Sequence, residues 1–405
     1  MYRANILAVL AGVTLAALAV PASAQVTAFE GARLIVGDGR TIENATLIVD
    51  GTKIVYAGPA TSLPPGGTRV GLAGKTVMPA IIDTHVHLSP TREKLIADLK
   101  RRGYFGVGAV MSMGADLYDL LDIRAETIPG AARFLSAGRG ITMPEPGRMT
   151  APHWITTEAE AVKAVQELAA RKVEMVKIWV DDWRGKYKKL TPEIYGAIIN
   201  EAHKHGLRVA AHIFELDDAK GLIKANLDAF AHGVRDRDID DELVAMFKAR
   251  PNLVLTPNLP DRGVKTDIAW MKAGLPADEF EKLEKANVDT PPAQVFHAIQ
   301  ARNLKKLNEA GVRIAVGTDG NRPWGPHDEM EDMVLAGMTT MQVIVAATRN
   351  GAEFLKLADM GTLEAGKSAD FIVLDANPLD DITNTRKIAS VYLRGAAVDR
   401  SQPVR

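Results

Sequence analysis

The pattern of apolar and polar positions changes twice along the 405-residue chain. From 28 to about 70, short β-branched runs alternate with turns marked by glycine, which is typical of antiparallel strands. The same pattern returns near the C-terminal end, at 369–374 and 389–395. Each of these segments is too small to form a hydrophobic core alone, so we predict that they pair into one small β-sandwich.

Between the two ends, short apolar runs alternate with longer amphipathic stretches, such as the helices predicted at 192–205 and 295–310. This alternation is typical of βα units that form a parallel sheet. Strands are predicted at 76–87, 106–113, 132–141, 173–181, 208–213, 227–232, 252–258 and 313–319. Such a series predicts an α/β fold, namely a (β/α)8 TIM barrel with the small β-sandwich built from both chain ends. The predicted domains are a signal peptide at 1–24, the N-terminal part of the sandwich at 25–75, the barrel at 76–355 and the C-terminal part of the sandwich at 356–405.

The first residues have the features of a secretory signal peptide. Arg3 precedes an apolar run at 6–20, and Ala22-Ser23-Ala24 forms a small-x-small cleavage pattern. An uncleaved membrane anchor is the alternative, but the apolar run is short for a bilayer span and no charged flank follows it. We therefore expect a secreted protein, periplasmic in a bacterium, with no membrane association after cleavage.

The composition narrows the classes of function. A net charge of −1 and the lack of a long basic run argue against nucleic-acid binding. The sequence contains no cysteine, which excludes disulfides, thiol nucleophiles and thiolate metal ligands. Any metal must therefore be held by nitrogen and oxygen, and the expected partner is a small-molecule substrate. The sequence leaves self-association into a homo-oligomer open.

Metal-binding side chains recur at the ends of the predicted strands. His85 and His87 end the first strand, and because residues i and i+2 share a face, both imidazoles can reach one ion. Each later candidate has a structural alternative, since His212 and His232 could be core histidines and Asp319 could belong to a turn. Packing does not require such groups at the same end of different strands, so their coincidence favours a metal site.

Lys177 interrupts an otherwise apolar strand at 173–180. Burial of an ammonium group there would lower its pKa by several units and leave a reactive neutral amine. The alternative is a lysine that extends to the end of the strand or pairs with Glu174 or Asp181.

Five segments together resemble one family. TVMPAIIDTHVHL, VKI, LDAFAHG, VGTDG and GTLEAGKSADFIVLDANPLDDI are similar to motifs of the amidohydrolase superfamily of metal-dependent hydrolases, in its imidazolonepropionase-like and Xaa-Pro dipeptidase-like branch. The resemblance covers essentially the whole mature chain. It is specific for the superfamily and not for the substrate.

The resemblance implies a binuclear metal centre. The strand-one histidines and the strand-eight aspartate would bind the more buried ion, and the strand-five and strand-six histidines the more exposed one: here His85, His87, Asp319, His212 and His232. Lys177 would be N-carboxylated by carbon dioxide, and its carbamate would bridge both ions. This modification replaces a costly buried cation by an anionic oxygen ligand. Two zinc ions are expected, although manganese, cobalt or iron would suit the same nitrogen and oxygen donors.

The expected reaction is hydrolysis of an amide-type C–N bond, in a dipeptide or an N-acyl amino acid, by attack of a hydroxide that bridges the two ions. Asp319 would take the proton from the water and give it to the leaving amine. A mononuclear deaminase or cyclic-amide hydrolase that uses Glu215, three residues after His212, is the first alternative. Lactonases and esterases would share the metal site, and a non-catalytic binding protein would be expected to lack some of the ligands.

Substrate contacts are expected from the βα loops, which carry specificity in barrels. The candidates follow the third, fourth, seventh and eighth strands and are His153, Trp154, Trp183, Arg184, Asn258, Arg322, Trp324 and His327. Either arginine could hold a substrate carboxylate through two hydrogen bonds, and the tryptophans could pack against an apolar group. For each candidate, a place in loop structure or on the surface is the alternative.

Overall fold

The computed structural model describes residues 26–61 and 67–403. The predicted signal peptide lies outside these ranges. Within them, no helix combines the length and the apolar character that crossing a membrane requires.

Strands and helices alternate through the middle of the chain, whereas both ends are made of strands. The strands are β1 (Thr27–Ile35), β2 (Thr41–Asp50), β3 (Lys53–Pro59), β4 (Thr68–Gly71), β5 (Thr76–Pro79), β6 (Ile81–Val86), β7 (Val107–Ser112), β8 (Arg133–Ser136), β9 (Ile141–Thr142), β10 (His153–Trp154), β11 (Val176–Val180), β12 (Val209–Ile213), β13 (Ala229–Phe230), β14 (Val254–Leu255), β15 (Arg313–Ile314), β16 (Phe371–Leu374), β17 (Ile388–Leu393) and β18 (Ala396–Ala397). The α-helices are α1 (Arg92–Tyr104), α2 (Glu158–Ala170), α3 (Pro192–Lys204), α4 (Leu216–Lys224), α5 (Asp241–Lys248), α6 (Ala277–Ala286), α7 (Pro291–Glu309), α8 (Gly325–Leu335), α9 (Thr340–Val345) and α10 (Gly351–Leu355).

The small domain is one eight-stranded sheet made from both ends of the described chain, in the order β18-β17-β16-β5-β1-β2-β3, with β4 paired to β1. Aromatic rings pack across the junction between the two ends. Phe29 of β1 lies edge-on to Phe371 of β16 with ring centroids 5.1 Å apart, and Phe371 stacks on Tyr392 of β17 at 4.7 Å. The predicted pairing of the N-terminal and C-terminal β segments is therefore confirmed.

The barrel strands are parallel. They form two sheets, and backbone hydrogen bonds join these sheets at both breaks between them. One sheet holds β6, β7 and β8, and the other runs from β10 through β9 and β11 to β15. The N–H of Glu174, just before β11, donates to the carbonyl of Ser136 at the end of β8, at 3.2 Å. At the other break, the N–H of Thr84 in β6 donates to Val316, just after β15, at 2.9 Å. The last strand therefore lies beside the first, as a closed (β/α)8 barrel requires.

The helices begin at residues that satisfy their free N–H groups. At the start of α2, Thr157 accepts from the N–H of Glu160 at 3.2 Å, and the Glu160 side chain accepts from the N–H of Thr157 in return. Thr191 caps α3, and Pro192 occupies its first position, where no donor is needed. The helices predicted at 192–205 and 295–310 correspond to α3 and to most of α7.

Two predicted strands differ from those in the structure. The strand predicted at 76–87 divides at Ala80, because the N–H of Ala80 donates to Asp370 of the small sheet and the N–H of Ile81 donates to Gly106 of the barrel, both at 3.0 Å. The strand predicted at 132–141 forms β8 and β9, since the chain turns between them at Gly138, where φ is +62°. The predicted domain boundaries stay predictions.

Candidate metal centre

The carboxyl ends of the barrel strands bring three predicted ligands into contact. Nε2 of His85 and Nε2 of His87 each lie 3.1 Å from Oδ1 of Asp319. The two imidazole nitrogens are 3.4 Å apart. Across 26–61 and 67–403, these three side chains form the one group of histidine and carboxylate donors whose ligand atoms are close enough to share an ion. His85 is fully buried, whereas His87 is partly exposed.

The other two candidate histidines border this cluster. His212 lies near the end of β12 and His232 follows β13, with ring centroids 4.5 Å apart. The ring of His232 lies 5.2 Å from that of His85, and its Nε2 is 3.5 Å from Oδ2 of Asp319. Asp319 therefore directs one oxygen at the strand-one histidines and the other at His232.

The side chain of Lys177 reaches the same space from β11. It is fully buried, and its Nζ lies 3.4 Å from Nε2 of His85. Burial lowers the pKa of Lys177 to about 7, although the negative charge of Asp319 partly opposes this. The alternative pairings are not formed, since Glu174 accepts hydrogen bonds from Arg124 and Ser136 and Asp181 contacts His212.

Burial also keeps His85 neutral. It lowers the pKa of this imidazole to about 3, and the charge of Lys177 acts in the same direction. Nδ1 of His85 lies 3.1 Å from the carbonyl oxygen of Ala231. Because a carbonyl oxygen only accepts, Nδ1 donates, and the lone pair of Nε2 remains free to bind a metal. Burial likewise lowers the pKa of His212 well below its usual value.

Several residues that are not glycine have left-handed backbone conformations at this end of the barrel. The φ angle is +56° at Trp183, +62° at Arg184, +45° at Asn258 and +50° at Asp319. Such conformations cost roughly 1–3 kcal/mol each and persist where the surrounding structure imposes them, often at functional sites. The N–H of Asp319 donates to the carbonyl of His85 at 2.8 Å, which holds its turn against the first strand.

The geometry places six candidate ligands at one end of the barrel. Comparison with known proteins shows to which family the chain belongs. The model of the Amidohydrolase family matches residues 76–398. The chain belongs to the amidohydrolase family. It is a metal-dependent hydrolase that acts on C–N bonds.

This amidohydrolase has relatives that cover nearly all of its length. It is 25% identical over 402 residues to the imidazolonepropionase of Deinococcus radiodurans, with 89% of this chain and 93% of the relative covered. It is 25% identical over 418 residues to the ochratoxinase of Aspergillus niger, with 89% and 83% covered. A solved structure of a protein from Bifidobacterium longum, provisionally assigned as a prolidase, has a TM-score of 0.78 at 27% identity, with 95% and 97% covered. The predicted superfamily and fold class are confirmed.

The donor set of this amidohydrolase fits a divalent metal. Both ring nitrogens of His232 are buried and have no hydrogen-bond partner among the described residues. Buried polar atoms left unsatisfied cost about 1–3 kcal/mol, and a metal ion would satisfy one of these nitrogens. Imidazole nitrogen and carboxylate oxygen are donors that zinc and its neighbours in the first transition row accept.

A cavity of about 460 Å³ opens beside Asp319, and three of the predicted substrate contacts line it: Asn258, Arg322 and Trp324. The amide nitrogen of Asn258 donates to the carbonyl oxygen of Ala231, which also accepts from Nδ1 of His85, so this side chain lies beside a candidate ligand. Trp324 is buried against Phe105, with ring centroids 6.1 Å apart, and Arg322 is exposed.

Three other predicted contacts lie away from the cavity lining. His153 forms a hydrogen bond with the hydroxyl of Tyr118 at 2.8 Å, and the indole N–H of Trp154 donates to the carbonyl of Met149 at 3.1 Å. Arg184 is exposed to solvent. Their roles as substrate contacts stay predictions.

His327 has a structural role in place of the predicted substrate contact. It is buried, with Nε2 2.8 Å from the carbonyl oxygen of Phe105 and Nδ1 3.0 Å from the hydroxyl of Thr385. Both nitrogens are therefore occupied, and the ring joins α8 to two other elements. The sequence shows that His327 follows strand eight closely, but it does not show which face of α8 carries the residue.

Trp183 packs against a candidate ligand, although it does not line the cavity. Its ring centroid lies 5.2 Å from that of His212. Its indole N–H donates to the buried carboxylate of Glu145 at 2.9 Å, and the guanidinium of Arg148 covers the ring at 3.4 Å from its centroid. The ring is thus held from two sides, and it restricts where the His212 imidazole can turn.

Two residues at the site were not predicted. Oδ2 of Asp181 lies 2.9 Å from Nε2 of His212, and Arg235 lines the cavity together with Asp319. Asp181 ends a ligand-bearing strand, and Arg235 comes three residues after the histidine that ends another. Each lies at or just beyond the end of a strand that carries a candidate ligand, and this position in the sequence could have identified both as site residues.

Glu215 is ion-paired outside the ligand cluster. Its Oε2 accepts from Nζ of Lys189 at 2.7 Å, and the same ammonium binds Asp218 at 2.8 Å. Glu215 directly precedes α4, where carboxylates are favourable near the helix N-terminus. Its carboxylate therefore forms an ion pair with Lys189 and does not contact the candidate ligands.

Proposed function

We propose that this chain is an exported binuclear amidohydrolase that hydrolyses the amide-type C–N bond of a dipeptide or an N-acyl amino acid. The observation that carries the proposal is the position of Lys177, fully buried with its Nζ 3.4 Å from Nε2 of His85. A lysine in that place is costly as a cation. As a carbamate, it becomes an anionic ligand between the two pairs of histidines.

The chain offers one set of donors for each ion. His85 and His87, with Oδ1 of Asp319, would hold the more buried ion. His212 and His232 would hold the more exposed one. The carboxylated Lys177 would contribute one oxygen to each, and zinc is the metal that this donor set suits well.

Asp319 is the residue proposed to move protons. When bound, the two ions supply a water molecule of lowered pKa and polarise the scissile carbonyl. Asp319 accepts the proton of the attacking water and then gives it to the leaving amine, so that carboxylic acid and amine are released. Its two oxygens face different histidines, at 3.1 Å from His85 and 3.5 Å from His232, which supports a place between both ion sites.

The pairing of Glu215 with Lys189 supports the binuclear proposal over the mononuclear alternative. A proton shuttle must reach the water and the substrate. Oε2 of Glu215 lies 2.7 Å from a lysine ammonium on the preceding loop, and the carboxylate is not part of the donor cluster.

The names of the relatives support the proposed substrate class. One relative is named an imidazolonepropionase, and a structural neighbour is provisionally assigned as a prolidase. Both names concern amide-type bonds in molecules that carry a carboxylate, which supports a dipeptide or an N-acyl amino acid for this chain.

Assays of the zinc-loaded protein on dipeptides, N-acyl amino acids, lactones and aminated heterocycles would test the proposal. We expect hydrolysis of members of the first two groups, strongly reduced by Asp319→Asn and largely kept by Glu215→Gln. Deamination of a heterocycle that Glu215→Gln abolishes would contradict it. For the proposed export, N-terminal sequencing of protein from a bacterial periplasm should give a chain that begins at Gln25; an intact Met1 there would contradict cleavage.

A further inference from the structure

The cavity beside the candidate metal centre contains an arginine without a partner. The guanidinium of Arg235 forms no hydrogen bond and no ion pair with any residue in the described ranges, and its Nε is buried. The nearby charges that act on it are those of Asp319 and Asp181. An unpaired guanidinium in an enclosed place is costly, so its retention indicates an anion that arrives with a ligand.

The other arginines of this region are paired or exposed. Arg262, which lines the same cavity, is held by Glu331 at 3.0 Å and by Asp332 at 2.7 Å. Arg322 is exposed to solvent. Among the arginines that line the cavity, Arg235 is therefore the one that is both unpaired within the described residues and partly buried, with donors available for a ligand.

The position of Arg235 indicates which kind of anion it would bind. In a dipeptide or an N-acyl amino acid, a single carbon separates the carboxylate from the amide nitrogen. A cation that binds this carboxylate must consequently stand close to the residues that act on the scissile bond. Arg235 meets this requirement, since it shares the cavity wall with Asp319. A guanidinium binds a carboxylate through two parallel hydrogen bonds, which fixes the orientation of the substrate.

Part of the cavity lining is apolar. The chain between β14 and α7 contributes apolar side chains to this lining, among them Leu259, Val264, Ile268, Met271 and Leu283, and it also contributes polar ones such as Asp261 and Thr266. Apolar walls with a few convergent polar groups are typical of small-molecule sites. A substrate with a carboxylate at Arg235 could place an apolar group against this wall.

We infer that Arg235 binds the α-carboxylate of the substrate and selects N-acyl amino acids or dipeptides with an apolar group over amides that lack a carboxylate. This inference rests on the proposed amide hydrolysis. It also predicts binding, because the amine product of such a substrate keeps the carboxylate. The test therefore needs no turnover.

Calorimetric titration of the metal-loaded protein with leucine and with leucinamide would test the inference, because the two ligands differ only in the carboxylate. We expect the wild type to bind leucine about 10- to 100-fold more tightly. Arg235→Gln should abolish this preference, and Arg235→Lys should keep part of it. Arg237→Gln is the matched control, since Arg237 is an exposed arginine paired with Asp217 at 2.9 Å.

A wild type that binds neither ligand or binds both equally would overturn the inference, as would an Arg235→Gln protein that keeps the preference or an Arg322→Gln protein that loses it instead. Equal weakening of both ligands in Arg235→Gln would also overturn it. The proposed function is judged separately: it fails if the wild type hydrolyses no amide, whatever the titrations show. Thermal melting of each variant reports whether it is folded.

Discussion

Nζ of Lys177 lies 3.4 Å from Nε2 of His85, and both side chains are fully buried. An ammonium beside an imidazole gains no charge pairing that would offset its burial. Burial accordingly lowers the pKa of Lys177 to about 7, which makes the neutral amine available at physiological pH. Only a neutral amine can react with carbon dioxide to form a carbamate.

Protein prepared with ¹³C-labelled bicarbonate and zinc should therefore show a carbamate carbon in its ¹³C NMR spectrum. Lys177→Arg should remove the signal, because a guanidinium does not lose its proton in proteins. Lys189→Arg is the matched control, since Lys189 is paired with Glu215 and Asp218 away from the ligand cluster. A signal that survives in Lys177→Arg would contradict the carbamate.

Asp319→Asn should lower kcat by about 10²- to 10⁴-fold on any amide that the wild type hydrolyses, because the amide side chain keeps the shape of the carboxylate but cannot accept and release the proton. Steady-state kinetics and metal analysis should be done on the same preparation. Asp217→Asn is the control, as this carboxylate is 78% exposed and pairs with the exposed Arg237. Nearly full activity in Asp319→Asn would contradict the proposed role of Asp319 as the proton carrier.

Gly317→Ala should disturb the ligand set without changing any ligand. An added Cβ would lie 2.3 Å from Cγ2 of Thr256 and 3.0 Å from Cβ of His85. We expect a loss of about 1–3 kcal/mol in the free energy of unfolding, from overpacking, together with weaker metal binding. Gly196→Ala is the control, because a Cβ at that helical position meets nothing within 4 Å; it should be neutral or stabilising. If Gly317→Ala keeps wild-type stability and metal affinity, the neighbouring strands must move apart to accommodate the added methyl group without cost. That result would contradict the prediction.

His327 should make the stability of the protein sensitive to acid. Burial lowers the pKa of His327 to about 4 in the folded state, whereas the unfolded chain has the ordinary value of about 6.5. Between these values the unfolded state binds more protons, so stability is lost as pH falls from about 6.5 to about 4.

His327→Phe should be less stable near pH 7 by about 1–3 kcal/mol, because the carbonyl of Phe105 loses its hydrogen bond to the imidazole and the hydroxyl of Thr385 keeps only its bond to the carbonyl of Ile382. The difference from the wild type should shrink as pH falls towards 4. Urea unfolding at several pH values measures it. A difference that stays constant across this range would mean that His327 does not titrate on unfolding.

The sequence allowed the fold and the candidate ligands to be predicted because both follow from local patterns. The alternation of apolar runs with amphipathic stretches identified the barrel. His85, His87, Lys177, His212, His232 and Asp319 could each be assigned to the end or the interior of a predicted strand. The structure brings all six to one end of the barrel, with Oδ1 of Asp319 3.1 Å from two histidine nitrogens.

The remaining features depend on contacts between distant segments. The chain crosses between two sheets at Ala80 because this residue bonds to Asp370, some 290 residues away (370 minus 80). Whether an arginine after a strand is paired or free is equally non-local: Arg262 finds Glu331 on α8, whereas Arg235 finds no partner among the described residues. Apolar periodicity contains no information about either contact.

Metal analysis of protein purified with bicarbonate and zinc, for the wild type and for Lys177→Ala, tests the binuclear site most directly. We predict about two equivalents of metal per chain in the wild type, and a loss of at least one of them in Lys177→Ala. One equivalent in the wild type, unchanged by Lys177→Ala, would contradict the account.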